Sequence, residues 1–282
     1  MGAEAMRVTV VQMNSRDDKA ANLERARELV GRAIARERPD LVALPETFPM
    51  LGGSREARLA AAEPVPDGEA CAMLREIARR HGVFVHGGSL FERTDEGIFN
   101  TTVVFDRDGR EVARYRKIHL FDVVTPDGRV YRESDFFARG REIVTCDLGG
   151  VRTGLSICYD LRFGELYRRL AAAGAELLMV PAAFTLQTGK DHWEVLLRAR
   201  AIETQCYVAA PAQWGPYPAG GDIRWNYGHA MIVGPWGHVL ARVQDGEGFA
   251  TAELDMDYLR RVRRDLPVAT HRVLEEGNMQ GV

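Results

Sequence analysis

Cys158 stands between a short apolar run, Val151 to Ile157, and a helical pattern that opens near Phe163 and continues through Leu166 and Leu170. The run reads as a buried strand, so the cysteine falls at a strand-to-helix turn. A side chain there sits at the top of a sheet beside helix N–H groups. That setting stabilises a thiolate and also the oxyanion formed when a thiolate attacks a carbonyl. A lone cysteine is more often a buried structural residue, so the case for chemistry depends on what else reaches the same end of the sheet. Glu46 lies just past the apolar run Leu41 to Pro45, Lys117 ends a strand, and Glu133 lies in a Gly/Pro-punctuated loop between Asp122 and Gly140. Ends of neighbouring strands are where sites form in α/β sheets. Taken singly, Glu46 and Lys117 read as solvated strand ends, Arg132-Glu133 as a surface patch, and His119, His192 and His229 as hydrogen-bonded or exposed histidines. With no His-x-x-x-His or Cys/His cluster, no metal is expected, and no cofactor.

The elements that must position these residues follow from periodicity. Arg7 to Met13 alternates as a first strand, and Asp18 to Glu37 repeats apolar residues at helical spacing, with Asp18 or Asn22 as a cap. Leu41 to Leu44 reads as a strand covered on both faces. Gly68 to Arg80 predicts a helix and Val83 to His86 a strand. Asn100–Phe105 and Glu111–Arg116 pair through Asp108-Gly109, a hairpin signal. Glu142–Leu148 and Val151–Ile157 form a second hairpin around Gly149-Gly150. A helix follows Cys158, then a buried strand at Glu176 to Pro181, a helix from His192 to about Thr204 and a strand at Tyr207 to Ala210. Pro211 to Asn226 reads as an ordered loop. Strands at Ala230–Val233, His238–Val243 and Gly248–Leu254 precede a short helix, Met256 to Arg264. The β-α-β units and hairpins imply mixed sheets with helices on their outer faces.

At 282 residues, 46% hydrophobic and 27% charged, the composition is that of a globular protein. No linker or charge block divides it, so residues 1–282 read as one domain. A net charge of −3 argues against nucleic-acid or anionic-membrane partners. No apolar run approaches a membrane span, and the segment Met1 to Met6 has no signal-peptide pattern. Four scattered cysteines suit a reducing compartment, and the cytoplasm is the expected location.

Together these stretches resemble the carbon–nitrogen hydrolase (nitrilase) superfamily. The resemblance rests on Leu-Pro-Glu at 44–46, Arg-Lys-Ile-His-Leu-Phe-Asp at 116–122 and Cys-Tyr-Asp-Leu-Arg-Phe at 158–163. It extends through His-Trp-Glu-Val-Leu-Leu-Arg-Ala-Arg-Ala-Ile-Glu at 192–203 and Tyr-Gly-His at 227–229, and covers roughly residues 7 to 272. Gly164 departs from it, since the family usually has Pro there. The branch most similar is that of the Nit-type amidases, which include deaminated-glutathione amidase and ω-amidase.

The resemblance implies an α/β fold, a four-layer αββα sandwich of two mixed sheets covered by helices. It implies a Glu–Lys–Cys triad with an additional glutamate. Cys158 would attack a carboxamide and form a thioester. Glu46 would take the thiol proton, pass it to the leaving ammonia and then activate water. Lys117 and the Tyr159 N–H would stabilise the oxyanion, and Glu133 would hold Lys117. Phe184 and Thr185 are expected in the acyl pocket, with Arg162 on a substrate carboxylate and Arg198 and Arg200 as alternatives. The expected substrate is a small carboxylate-bearing amide, with deaminated glutathione ahead of α-ketoglutaramate. Rival readings are an ω-amidase, an acyl transferase on the same scaffold, and a catalytically silent binding protein. A homodimer or homotetramer is expected, with the C-terminal stretch from Met256 to Arg272 and the tail as candidate contacts.

Overall fold

Side-chain alternation along the first strand, β1 (Ala5–Met13), sets the layers. Val8 and Val10 enter one buried cluster, which also holds Leu148, Leu155 and Leu177. Val11 and Met13 point the other way and pack with Leu23, Ala26 and Leu29 of a helix. A strand with both faces apolar must be covered on both, and here one cover is a second sheet. Each such fully buried Val or Leu contributes about 1.5–3 kcal/mol.

The computed structural model describes residues 5–126 and 128–273. After β1 come β2 (Leu41–Ala43), β3 (Phe84–His86), β4 (Leu90–Thr94), β5 (Gly97–Phe105) and β6 (Glu111–Arg116). A short ribbon, β7 (Asp122–Val124) with β8 (Val130–Arg132), precedes β9 (Thr145–Leu148), β10 (Val151–Leu155), β11 (Leu177–Met179) and β12 (Tyr207–Ala210). The last strands are β13 (Ala212–Ala219), β14 (Asp222–Tyr227), β15 (Met231–Val233), β16 (Val239–Arg242) and β17 (Gly248–Asp255). The helices are α1 (Lys19–Glu37), α2 (Arg55–Ala61), α3 (Glu69–His81), α4 (Gly164–Ala172), α5 (Leu186–Thr204) and α6 (Met256–Asp265).

The larger sheet runs β14-β13-β1-β2-β3-β5-β4, with β17 on β1 and β6 on β5; the smaller runs β16-β15-β12-β11-β10-β9. Both are mixed: β1, β2 and β3 pair in parallel, as do β10, β11 and β12, and hairpins complete each sheet. α1 and α3 cover the outer face of the larger sheet. Residues of α4 and α5, among them Tyr167, Leu170, Trp193 and Leu197, pack with the smaller sheet. The result is the αββα sandwich. Among the described residues no helix is long and apolar enough to cross a membrane.

Some readings need correction. Pro211–Asn226 is a hairpin, β13 and β14, rather than a loop. Pro216 and Pro218 argue against a strand, but they alternate, so both missing N–H groups fall on one edge, and Gly220-Gly221 supplies the positive-φ turn. Helix α5 begins at Leu186, ahead of His192. The segment between Asp122 and Gly140 contains the β7–β8 ribbon and a 3-10 turn at Glu133–Asp135. α2 and β4 have no counterpart in the periodicity reading. Asp18, not Asn22, caps α1, its carboxylate accepting from Ala21 N at 3.0 Å. In α6, Met256, Leu259 and Val262 are buried within the chain's own core. The tail beyond Val273 lies outside the described residues.

Candidate active site

β10 and the residues after it carry Cys158 in from the smaller sheet. The residue has φ 48°, a left-handed conformation uncommon for a side chain with a Cβ. It opens a 3-10 turn, Cys158–Arg162, where the first N–H groups find no partner inside the helix. The Cys158 N–H donates to Pro181 O at 2.9 Å. The Tyr159 N–H occupies the next orphan position.

Asp160 holds this turn. Its Oδ2 accepts from Ile157 N at 2.9 Å and Tyr115 Oη at 2.6 Å; its Oδ1 accepts from His119 N at 3.0 Å and lies 2.7 Å from His119 Nδ1. Tyr115 and His119 flank Lys117, so one fully buried carboxylate ties the cysteine turn to the lysine segment. His119 also stacks on Phe163 at 3.7 Å.

From the larger sheet, Glu46 follows β2 and Lys117 follows β6. Lys117, 2% exposed, donates to Glu46 Oε1 at 2.9 Å and to both oxygens of Glu133 at 2.9 and 2.8 Å. Asn100 of β5 donates from Nδ2 to Glu46 Oε1 at 2.9 Å and to Glu133 Oε1 at 3.2 Å. Glu46 Oε2 accepts from Ala183 N at 2.8 Å, and Glu133 Oε2 from Phe121 N at 2.7 Å. Gln213 fixes the Glu46 backbone, its Nε2 donating to Glu46 O at 3.0 Å.

Burial opposes the charge on Lys117, but Glu133 and Glu46 outweigh it and hold the ammonium well above its ordinary range. Burial raises the Glu133 carboxyl, with Lys117 pulling it down and Glu46 pushing it up. The Cys158 thiol is pushed well above its ordinary value, first by burial and then by Glu46, against the pull of Lys117. A buried thiol held neutral beside a carboxylate needs that carboxylate as its base.

Glu46, Lys117, Glu133 and Cys158 open together on a cavity of about 630 Å³. Tyr159, Arg162, Phe184 and Thr185 line it too. Arg162 sits with Cζ 5.4 Å from the Phe184 ring. Arg198 and Arg200 are elsewhere: Arg198 donates to Gly237 O and Arg200 to Leu161 O.

The profile of the carbon-nitrogen hydrolase family matches residues 7–264. The chain belongs to the carbon-nitrogen hydrolase family. It is similar to the deaminated glutathione amidase of Synechocystis, 45% identical over 269 residues, which are 93% of this chain and 96% of that one. It is also similar to the C. elegans NitFhit protein (TM-score 0.88, 39% identity), covering 96% of this chain and 66% of that one. A Saccharomyces cerevisiae member of branch 10 of the nitrilase superfamily aligns with TM-score 0.85 and 30% identity, over 97% of this chain and 98% of the other. The reaction of this carbon–nitrogen hydrolase is amide hydrolysis.

Periodicity missed Asn100 and Asp160. Asn100 lies inside a strand whose alternation explains it as an ordinary polar position. Asp160 stands inside the cysteine block and carried one usable signal, an acidic residue three positions after Ile157, where it can bond back to a backbone N–H.

Proposed function

We propose that the protein hydrolyses deaminated glutathione, cleaving the amide that joins the α-keto acyl group to cysteinylglycine. What carries the reading is the thiol of Cys158 beside Glu46, with the Lys117 ammonium bonded to that same carboxylate. Glu46 takes the thiol proton as sulfur attacks the carbonyl carbon. The negative oxygen is stabilised by the Lys117 charge and the Tyr159 N–H. All three Lys117 protons already have carboxylate acceptors, so the lysine acts as a fixed charge and Tyr159 as the open donor. Glu46 returns the proton to the leaving nitrogen, cysteinylglycine departs, and the acyl group remains as a thioester. Water, deprotonated by Glu46, then attacks the thioester, and the proton goes back to sulfur.

Glu133 keeps Lys117 in place. Phe184 and Thr185 bound the acyl side, with Arg162 near its carboxylate. The similarity to deaminated glutathione amidase supports this substrate over α-ketoglutaramate. We read residues 7–272 as one catalytic unit in a cytoplasmic homodimer or homotetramer. Exposed Val195 and Ile202 on α5, with Trp236 and Leu240 nearby, offer apolar surface for assembly; light scattering on the purified protein tests this. The substrate is tested by comparing kcat/KM for deaminated glutathione and α-ketoglutaramate. A preference for the first is expected. A preference for the second reassigns the chain to ω-amidase chemistry, and turnover of neutral amides alone removes the carboxylate pocket.

A further inference from the structure

The outer wall of the cavity carries cations that the hydrolytic steps do not use. Arg58, on α2, and Arg224, on β14, both line it. Arg58 Cζ lies 4.5 Å from the Phe136 ring and Arg224 Cζ 4.2 Å from the Tyr131 ring. The rings support the guanidinium groups, and Arg224 Nη2 donates to Val130 O at 3.4 Å. Both Nε atoms are buried without a hydrogen-bond partner. Among the described residues, neither arginine forms an ion pair with a carboxylate.

Other arginines that the fold covers find partners: Arg75 donates to Pro66 O and Arg263 to Gln205 O and Ala175 O. Arg114 and Arg116 both bond to Glu92, at 3.0 and 2.8 Å, and Arg200 bonds to Glu203 at 2.9 Å. Leaving a half-buried cation without an anion costs stability. Burial, then the neighbouring charges of Arg55 and Arg224, hold the Arg58 guanidinium below its ordinary range. The hollow is therefore short of negative charge, and a ligand can bring it.

Its place in the cavity can be read as well. The rings place the two arginines: Tyr131 belongs to β8 and Phe136 follows the turn at Glu133–Asp135, so both cations stand on the wall built by the segment after β7. Arg162 lies instead against Tyr159 and Phe184. With Arg162 assigned to the carboxylate of the acyl group, the arginines on this separate wall are left for an anion on the leaving amine. We infer that Arg58 and Arg224 form a second anion subsite that binds a carboxylate on the leaving amine. The inference rests on the proposed hydrolysis and names the class of amine it prefers: an amino acid or short peptide with a free C-terminus.

The test uses the full chain and three substrates: deaminated glutathione, its C-terminal carboxamide, and α-ketoglutaramate, which releases only ammonia. The wild type should prefer the free carboxylate over the carboxamide by about 10- to 100-fold in kcat/KM, mainly through KM. Arg58→Gln and Arg224→Gln should each bring that ratio toward 1. Arg58→Lys, which keeps the charge and loses the fork, should restore part of it and guards against a variant that fails to fold. A ratio unmoved in both glutamine variants, or an equal fall on all three substrates, overturns the subsite. Wild-type activity without carboxylate preference overturns the subsite alone. Wild-type inactivity on all three overturns the functional reading and the subsite with it.

Discussion

Lys117 and Arg58 line the same cavity, yet their surroundings are opposite. Around Lys117 every proton has an acceptor, two carboxylates share the charge, and Asn100 bridges them. Around Arg58 the near neighbours are Arg55, Arg224 and an aromatic ring. The difference teaches what each region waits for. In the first, charge moves within the protein during the reaction, so donors and acceptors must be fixed beforehand. In the second, the missing charge arrives with the substrate, so it is left uncompensated until then.

The largest expected effect tests the first region. Cys158→Ala should lower kcat by on the order of 10⁴-fold or more with folding intact, and mass spectrometry of wild type with a slow amide should find the acyl mass on Cys158. Retained activity in the variant ends the mechanism. Next, Glu46→Gln should cost about 10²–10⁴-fold in kcat, and Lys117→Ala about 10²–10³-fold. Lys117→Ala should also lower stability by about 3–5 kcal/mol, because two buried carboxylates lose their cation; a thermal midpoint equal to wild type would contradict that.

A third experiment reads the pH behaviour of the thiol. Its folded pKa lies above the ordinary value, so the proton stays on sulfur through neutral pH and the thiolate fraction rises with pH. In Glu46→Gln, iodoacetamide modification of Cys158 should therefore climb about tenfold per pH unit from 6 to 9. A plateau below pH 7 would mean a preformed thiolate–lysine pair. The smallest effect contrasts the two regions by salt. Raising ionic strength should increase KM for a substrate carrying two carboxylates and leave kcat nearly constant, because the half-buried arginine wall is more exposed to salt than the buried Lys117. A kcat that falls together with KM would show that the two regions are not separable.

The elements of the sandwich were largely legible in the apolar pattern, with α1, α3 and the β9–β10 hairpin within a few residues of the spans that periodicity gives, while their stacking into four layers came from the family resemblance. The turn at Cys158 was readable from an apolar run meeting a helical one. Its positive φ was not, since nothing local in Ile157-Cys158-Tyr159 calls for it; the left-handed residue is imposed by Pro181 O and by Asp160 clasping the turn from behind. The roles of Glu46, Lys117 and Glu133 reached the sequence reading through family resemblance, because on their own Glu46 and Lys117 look like solvated strand ends and Glu133 like part of a surface patch. Arg58 and Arg224 were invisible for a different reason. They come from a short helix with little apolar periodicity and from a hairpin whose first strand and turn, rich in proline and glycine, read as a loop, and only the folded chain sets them on one wall.

Asp160 ties a turn of the smaller sheet to Tyr115 and His119 of the larger, and the reacting groups straddle the same seam. Turnover is therefore a gauge of how the two sheets are seated against each other. A small slip between them would part Cys158 from Glu46 while each sheet kept its own ladder of hydrogen bonds. Under mild denaturant the enzyme should fall silent before its far-ultraviolet circular dichroism changes, and during refolding, activity should be the last signal to return.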